Sequence, residues 1–237
     1  MVLRPPGVYR PQGDTSLLVD VLRKAALAPG ARVLEVGTGT GAVAMAAAQG
    51  GAAQVVAVDV SARAVLTARL NALVHGLPVQ VLHGDLFDPV ADQVFDVIVA
   101  NPPYVIGETD PASVRGAARA WEAGADGRVI LDWICAQAWE HLAPGGALLI
   151  VQSSLSGVPT TLAALRERGM QAHVVARRRE PFGRVMRGRA AALRARGLLR
   201  PGQCYEDLVA IRADRVAAPA HRLRTRAPRR LGVASDR

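Results

Sequence analysis

The sequence predicts an α/β fold: an open, doubly wound and mostly parallel sheet with helices on both faces. Two observations carry this. Short β-branched runs alternate with helical stretches along most of the chain, the pattern of repeated strand–helix–strand units. Turn and polar signals fall at the ends of those runs: a glycine loop, Asp59, Asp85 and Asn101. Ligands in such sheets sit at the carboxyl ends of the strands, so the four signals converge on one edge.

The elements follow in order. Residues 1–30 are an N-terminal segment and helix: 1–13 read as extended and Pro-rich, then Asp14 or Thr15 caps a helix through about Leu27. Leu17, Leu18, Val21, Leu22 and Ala25 share one stripe of that helix. Arg32 to Val36 is the first strand, followed by Gly37-Thr-Gly-Thr-Gly41 and an Ala-rich helix to Gln49. Gln54 to Asp59 is the second strand, and Ser61 caps a helix running to about Val74. Val79 to His83 and Val94 to Ala100 are the third and fourth strands.

Residues 101–126 form a long loop rich in Pro, Gly and charge. Such a loop inside a compact domain is usually functional. A helix over about 127–142, a strand from Gly146 to Gln152, a helix from Pro159 to Arg168 and a strand from Gln171 to Arg178 come next. Residues 181–200 read as a basic, partly helical insertion, and Cys204 to Arg212 as the last strand. The organisation expected is one domain, 1–213, with a basic, disordered tail, 214–237.

Composition narrows the class. Of 237 residues, 50% are hydrophobic but only 4% aromatic, so the core is built mostly of Ala, Val and Leu. No apolar run reaches the roughly 18 residues of a membrane span, and the N-terminus lacks the apolar stretch of a secretory signal. Cys135 and Cys204 lie far apart with no CxxC. No metal site is expected, and a reducing cytoplasm is the expected location. The formal charge of +9 is local: residues 177–200 hold 9 Arg and 1 Glu, and 214–237 hold 7 Arg and 2 Asp. Such blocks suit electrostatic contact with nucleic acid.

The glycine loop is a ligand site of unusual sign. A dinucleotide fold uses GxGxxG with pyrophosphate at the helix N-terminus. Here the spacing is GxGxG over Gly37, Gly39 and Gly41, with Glu35 on the preceding strand. A carboxylate there repels pyrophosphate and suits a positive amino or sulfonium group. Asp59, closing the second strand, is placed to accept the hydroxyls of a ribose. Asp85 suits the amino group of an adenine, with the Leu86 backbone N–H facing a ring nitrogen.

Asn101-Pro102-Pro103-Tyr104 ends the fourth strand. The Asn101 side-chain oxygen and the Pro102 carbonyl suit the two hydrogens of a planar –NH2, and Tyr104 suits stacking on its face. Held in line with an electrophilic methyl, such a nitrogen needs no strong base, because its proton leaves late.

Together, Glu35 to Gly41, Asp59, Asp85 and Asn101 to Tyr104 resemble the ordered motifs of seven-stranded, S-adenosylmethionine-dependent methyltransferases, the class I Rossmann-like fold. That resemblance covers roughly residues 30–152. It implies strand order 3-2-1-4-5-7-6 with the last strand of the chain antiparallel, S-adenosyl-L-methionine as donor and S-adenosyl-L-homocysteine as product. Val60, beside Asp59, joins the implied donor site.

Turns of this kind occur in methyltransferases of adenine N6 in DNA or RNA and of glutamine amides in proteins. Val8-Tyr9-Arg10-Pro11 with Asp14-Thr15, and Ala120-Trp121-Glu122 through Arg128, resemble the short HemK-like protein-glutamine N5-methyltransferases of release factors. By that resemblance Asp14 and Thr15 lie over the donor, and Tyr9 and Trp121 line the acceptor pocket with Pro103. Arg10 and Gln12-Gly13 depart from that subfamily's usual residues. The implied acceptor is the Gln of a release factor's Gly-Gly-Gln loop. Adenine N6 of RNA or DNA and a small molecule stand as alternatives. Eukaryotic relatives pair with a small zinc-binding activator subunit, a further candidate partner.

Overall fold

The β-branched runs form strands because branched side chains fit a pleated, half-buried surface. The computed structural model describes residues 2–107 and 120–216. In chain order its elements are α1 (Gly13–Lys24), β1 (Arg32–Val36), α2 (Ala42–Gln49), β2 (Gln54–Asp59), α3 (Ala62–Val74), β3 (Val79–His83), β4 (Phe95–Ala100), α4 (Val129–Gln137), β5 (Leu142–Ser153), α5 (Val158–Glu167), β6 (Met170–Pro181), α6 (Arg184–Ala195) and β7 (Tyr205–Arg215). The strands make one sheet in the order β3-β2-β1-β4-β5-β7-β6. Pairing is parallel from β3 through β5. Only β7 is reversed, antiparallel to both β5 and β6.

Successive side chains of a strand point to opposite faces, and the sheet therefore organises two cores. Leu34, Val36, Ile98, Ala100, Leu148 and Ile150 face α4 and α5, meeting Leu131, Ile134 and Leu165. Val33, Val97, Val99, Leu149 and Val151 face the other way, meeting Leu17, Leu18 and Leu22 of α1, Val43 of α2 and Val65 of α3. β1, β4 and β5 are buried on both faces, so consecutive apolar residues such as Val97–Ala100 and Ala147–Val151 replace an alternating pattern.

Several boundaries differ from the sequence reading. Gln12, not Asp14 or Thr15, occupies the N-cap of α1, and it makes no side-chain cap bond. Asp14 and Thr15 lie inside the first turn and are buried. α1 stops at Lys24 rather than near Leu27, and Ala26 takes a left-handed φ of 48°. α4 spans Val129–Gln137, well inside the expected 127–142. β5 begins at Leu142, ahead of Pro144-Gly145, because its pairing with β4 shifts register between Phe95 and Val97. β7 continues to Arg215, two residues past the expected end of the domain. Of the expected 101–126 loop, 108–119 lie outside the described residues, as does the tail from 217.

The insertion at 181–200 contains a full helix. Met186, Ala190 and Leu193 form its buried stripe and pack with Phe182, Leu199 and Ile106 in a third, smaller core. The flanking arginines hid that stripe in the sequence. Among the described residues no helix is long and apolar enough to cross a membrane, and no cluster of three or more His, Cys, Asp or Glu is arranged to hold a metal. Cys135 and Cys204 are free thiols.

Asn71 fastens the N-terminal segment to this frame. It is fully buried on α3. Its Nδ2 donates to the carbonyls of Leu3 (3.0 Å) and Thr40 (2.9 Å), and its Oδ1 accepts from the Leu3 N–H at 2.7 Å. Asn71→Ala leaves the Thr40 carbonyl without its donor, so it lowers stability by about 2–3 kcal/mol. A denaturant midpoint unchanged from wild type would show that this tie does not hold the segment.

Candidate active site

The carboxyl ends of β1, β2, β3 and β4 carry the glycine loop, Asp59, Asp85 and Asn101 respectively. Gly37, Gly39 and Gly41 have φ of 73°, 57° and 82°, which L side chains rarely adopt. A Cβ on Gly37 would meet nothing, so the backbone conformation, not crowding, selects glycine there. The result is a cradle of bare backbone with space above it.

Two carboxylates shape the cradle. Glu35 is buried, and its Oε2 accepts from Thr38 Oγ1 at 2.5 Å and from the Ala44 N–H at 2.8 Å. It therefore pins both the loop and the first turn of α2. Burial pushes its carboxyl up to about 7, partly offset by those two donors, with Asp59 adding repulsion. Asp59 Oδ2 accepts from the Gly39 N–H and Oδ1 from the Ser61 N–H, both at 2.8 Å. Its backbone carbonyl takes the Gly84 N–H at 3.1 Å, which ties the ends of β2 and β3 together. Val60 follows, 38% exposed, its carbonyl 3.1 Å from His83 Nε2. Asp85 is exposed. Leu86 has a φ of 41°, an outlier for a branched side chain. Its side chain packs on the core, which offsets that strain.

The second half of the site is a hydrogen-bonded knot around Asp14. Its Oδ2 accepts from Tyr9 Oη at 2.5 Å and Tyr104 Oη at 2.9 Å. Its Oδ1 accepts from Thr15 N at 2.5 Å and Thr15 Oγ1 at 3.2 Å. Thr15 Oγ1 in turn accepts from Asn101 Nδ2 at 3.4 Å. The nitrogen end of the Asn101 amide is thus turned to Thr15, which leaves its carbonyl oxygen as the accepting end. Burial, with Asp14 next, raises both phenols well above their ordinary range. They stay protonated donors and supply no base.

The structure brings Tyr9, Asp14, Thr15, Asn101 and Tyr104 into one network. Tyr9 also bridges to the cradle, its Cβ 3.9 Å from where a Cβ on Gly39 would stand. Pro102 is buried and Pro103 half-buried. Trp121 joins through its backbone, its carbonyl accepting from the Val105 N–H at 2.9 Å.

Three supports were not read from the sequence. The Tyr104 carbonyl accepts from Ser156 Oγ at 2.8 Å, after β5. The buried Arg128 donates to the Ser156 carbonyl at 2.6 Å and the Gly157 carbonyl at 2.9 Å. Glu206, on β7, is buried near the knot; burial raises its carboxyl, Ser153 offsets part of that, and Asp14 and Glu180 add repulsion. Arg128 ends the matching segment that begins at Ala120, but nothing local in the chain marks its role or that of Ser156 and Glu206, because each acts across the fold.

Most arginines of the basic stretch make contacts within the molecule. Arg178 bonds the Gly13 carbonyl, Ser16 and Asp20 of α1. Arg179 pairs with Asp207 and lies over the Tyr205 ring. Arg187, Arg194 and Arg196 bond the carbonyls of Phe182, Gln203 and Ala125. The stretch is therefore built into the fold, and no finding supports a nucleic-acid partner.

Glu35 has a measurable signature. A carboxyl raised in the folded state favours the protonated fold, so its contribution is complete below the unfolded value near 4.5. It is lost as pH rises through about 7. Between pH 4.5 and 8 the stability of wild type relative to Glu35→Gln falls by roughly 3 kcal/mol. A pH-independent difference would place the Glu35 carboxyl elsewhere than in a dry, paired site.

Comparison with known proteins agrees with this geometry. The family model of the methyltransferase small domain matches residues 2–120. A provisionally named protein N5-glutamine methyltransferase of Methanocaldococcus jannaschii is 37% identical over 185 residues, 76% of this chain and 90% of that protein. The release factor glutamine methyltransferase of Geobacter sulfurreducens is 40% identical over 153 residues, 61% of this chain and 53% of its own length. The chain thus spans about half of such longer relatives. Among solved structures, the E. cuniculi Mtq2–Trm112 complex responsible for methylation of the eRF1 translation termination factor aligns with a TM-score of 0.62 at 23% identity. It covers 88% of this chain and 99% of that one, and at that identity it speaks for the fold. The glycine cradle, the strand order and the family match lead to one assignment: the chain belongs to the methyltransferase small-domain family, as a short HemK-like, S-adenosylmethionine-dependent methyltransferase.

Proposed function

We propose that the chain methylates the side-chain amide nitrogen of a glutamine, in the Gly-Gly-Gln loop of a peptide chain release factor. The observation that carries this reading is the oriented Asn101 amide, tied through Thr15 to Asp14 beside the Tyr104 ring. An amide –NH2 needs two acceptors and a flat neighbour. The Asn101 oxygen and the Pro102 carbonyl accept its hydrogens, and Tyr104 and Pro103 flank its plane. The names of the Geobacter and methanogen relatives support a glutamine acceptor. With Tyr9 and Tyr104 held protonated, the site has no phenolate base. Holding the nitrogen in line with the methyl is then the main catalytic contribution.

S-Adenosylmethionine supplies a methyl group on a positively charged sulfur. In this reading Gly37, Gly39 and Gly41 let its chain approach the backbone, and Glu35 holds that loop while its charge complements the donor's. Asp59 takes the ribose hydroxyls with Val60 beside them, Asp85 and the Leu86 N–H take the adenine, and Asp14 and Thr15 lie over the methionine end. Tyr9 and Trp121 line the entry for the acceptor.

Purified full chain with labelled donor transfers methyl to release factor and not to a loop Gln→Ala variant of it. Label appearing instead in RNA, DNA or a small molecule would overturn the glutamine reading. Asn101→Ala lowers kcat by roughly 100-fold or more while donor affinity stays within about twofold. Asp59→Ala does the opposite, weakening donor binding by about tenfold or more in calorimetry. Donor affinity unchanged by that substitution would remove the ribose assignment.

A small partner subunit belongs to the same reading. Leu66, Leu70, Leu73 and Val74 lie 42–75% exposed along α3, beside the edge strand β3. Their spacing makes one apolar stripe on a helix otherwise packed in the core. The Mtq2 structure was solved with such a subunit, Trm112. Leu70→Glu with Leu73→Glu abolishes co-purification with a co-expressed small subunit of that kind and leaves the isolated chain's donor affinity unchanged. Co-purification that survives the pair of changes would move the contact elsewhere.

A further inference from the structure

The helix between β6 and β7, α6, reaches the segment that follows the Asn101–Tyr104 turn. Its buried stripe packs on Ile106, two residues past Tyr104. The same helix sends Arg189 to the same place. Arg189 Nη1 donates to the Ile106 carbonyl at 2.8 Å, and Nη2 pairs with Glu122 Oε1. Glu122 is buried, and its Oε2 has no hydrogen-bond partner among the described residues. Gly107 lies against this pair: a Cβ there would run into both Glu122 Oε2 and Arg189 Nη1.

The two arms that Arg189 grips are bonded to one another. Val105 N–H donates to the Trp121 carbonyl at 2.9 Å, Ala123 N–H to the Val105 carbonyl at 3.3 Å, and Gly107 N–H to the Gly124 carbonyl at 2.9 Å. One arm continues from the Asn101–Tyr104 turn, and the other carries Trp121. Arg196 adds a bond to the Ala125 carbonyl at 2.7 Å. A buried ion pair is poor value as pure stabilisation, because apolar packing of the same volume does as well or better. What the guanidinium fork does uniquely is fix a carbonyl of one arm and a carboxylate of the other at once.

We propose that Arg189 is a positioning residue for the acceptor. By holding the Ile106 carbonyl and Glu122 together, it sets where the Asn101–Tyr104 turn stands relative to Trp121. The inference rests on the reading of that turn as the acceptor site. It makes α6 part of acceptor handling, with no bearing on the donor cradle.

Arg189→Ala strands a buried carboxylate and is a poor first test, since a fold lost for that reason alone says nothing about positioning. The pair Glu122→Leu with Arg189→Met keeps the volume and removes the charge. For that folded variant, donor affinity stays within about twofold of wild type. Amide exchange at Val105, Gly107 and Ala123 accelerates, and kcat/KM for release factor falls, each by roughly tenfold. Arg189→Lys, which keeps the charge but not the fork, falls between. Unchanged exchange and unchanged kcat/KM would overturn the proposal, and so would a parallel loss of donor affinity, which marks general loosening. Absence of methyl transfer to release factor by wild type would fail the glutamine reading alone; the exchange rates and donor affinity still decide whether Arg189 holds the two arms.

Discussion

The Asp14 carboxylate is the constraint on which the site depends. Four hydrogen bonds end on its two oxygens, from Tyr9, Tyr104 and both the N–H and hydroxyl of Thr15. Those donors come from the N-terminal segment, from α1 just after it, and from the turn after β4, which lies 90 residues further along the chain. A carboxylate is confined to accepting, so every group around it is forced into a donor role. That polarity passes along the chain. Thr15 donates to Asp14 and must accept from Asn101, which fixes the Asn101 amide with its nitrogen inward. The direction of one side-chain amide at the end of β4 is thus decided by a charge on a different element.

Asp14 is itself held by the position of α1. Leu17, Leu18 and Leu22 sink into the core beside β1, β4 and β5. From the other side Arg178 of β6 reaches the Gly13 carbonyl, Ser16 and Asp20. A Cβ on Gly13 would meet the Glu180 carboxylate, so the start of the helix lies directly against the β6 side chains. The antiparallel β6–β7 pair is therefore more than an edge to the sheet. It sets how far α1 leans over the cleft, and through α1 it sets Asp14.

How much of this was legible in the chain follows from distance. The strand order came from a resemblance, but the elements it orders were visible as β-branched runs. Gly37, Gly39, Gly41 and Asp59 were legible because a strand end, a tight turn and a helix start lie within a few residues of each other. Tyr9, Asp14, Thr15 and Tyr104 were identified as site residues, yet not as one network, and Asp14 and Thr15 were also read as caps. A helix N-terminus and a buried acceptor look alike in sequence, since both want a short oxygen-bearing side chain before an apolar stripe. The α6 stripe was masked for a related reason. With Arg184, Arg187 and Arg194 exposed along it, the charge of the stretch outweighed the spacing of Met186, Ala190 and Leu193. Ser156, Arg189 and Glu206 left no local mark, and Arg128 was legible only as the end of a matching segment, because the part each plays at the site depends on partners across the fold.

That last group shows why a motif and a working site differ. In the proposed reading Asn101 to Tyr104 supply the chemistry, but a four-residue turn does not hold its own place. Its start is tied through Thr15 to α1, and its end through the Tyr104 carbonyl to Ser156, which Arg128 in turn secures. Beyond Tyr104 the chain is packed by α6 at Ile106. The turn is thus restrained from three directions, by α1, by the segment after β5 and by α6. Relocating any of them by an ångström changes the line between nitrogen and methyl, and displacements of that size cost a reaction of this kind about two orders of magnitude. The basic stretch after β6, which reads in sequence as a surface for polyanions, is on this account a structural arm of the acceptor pocket.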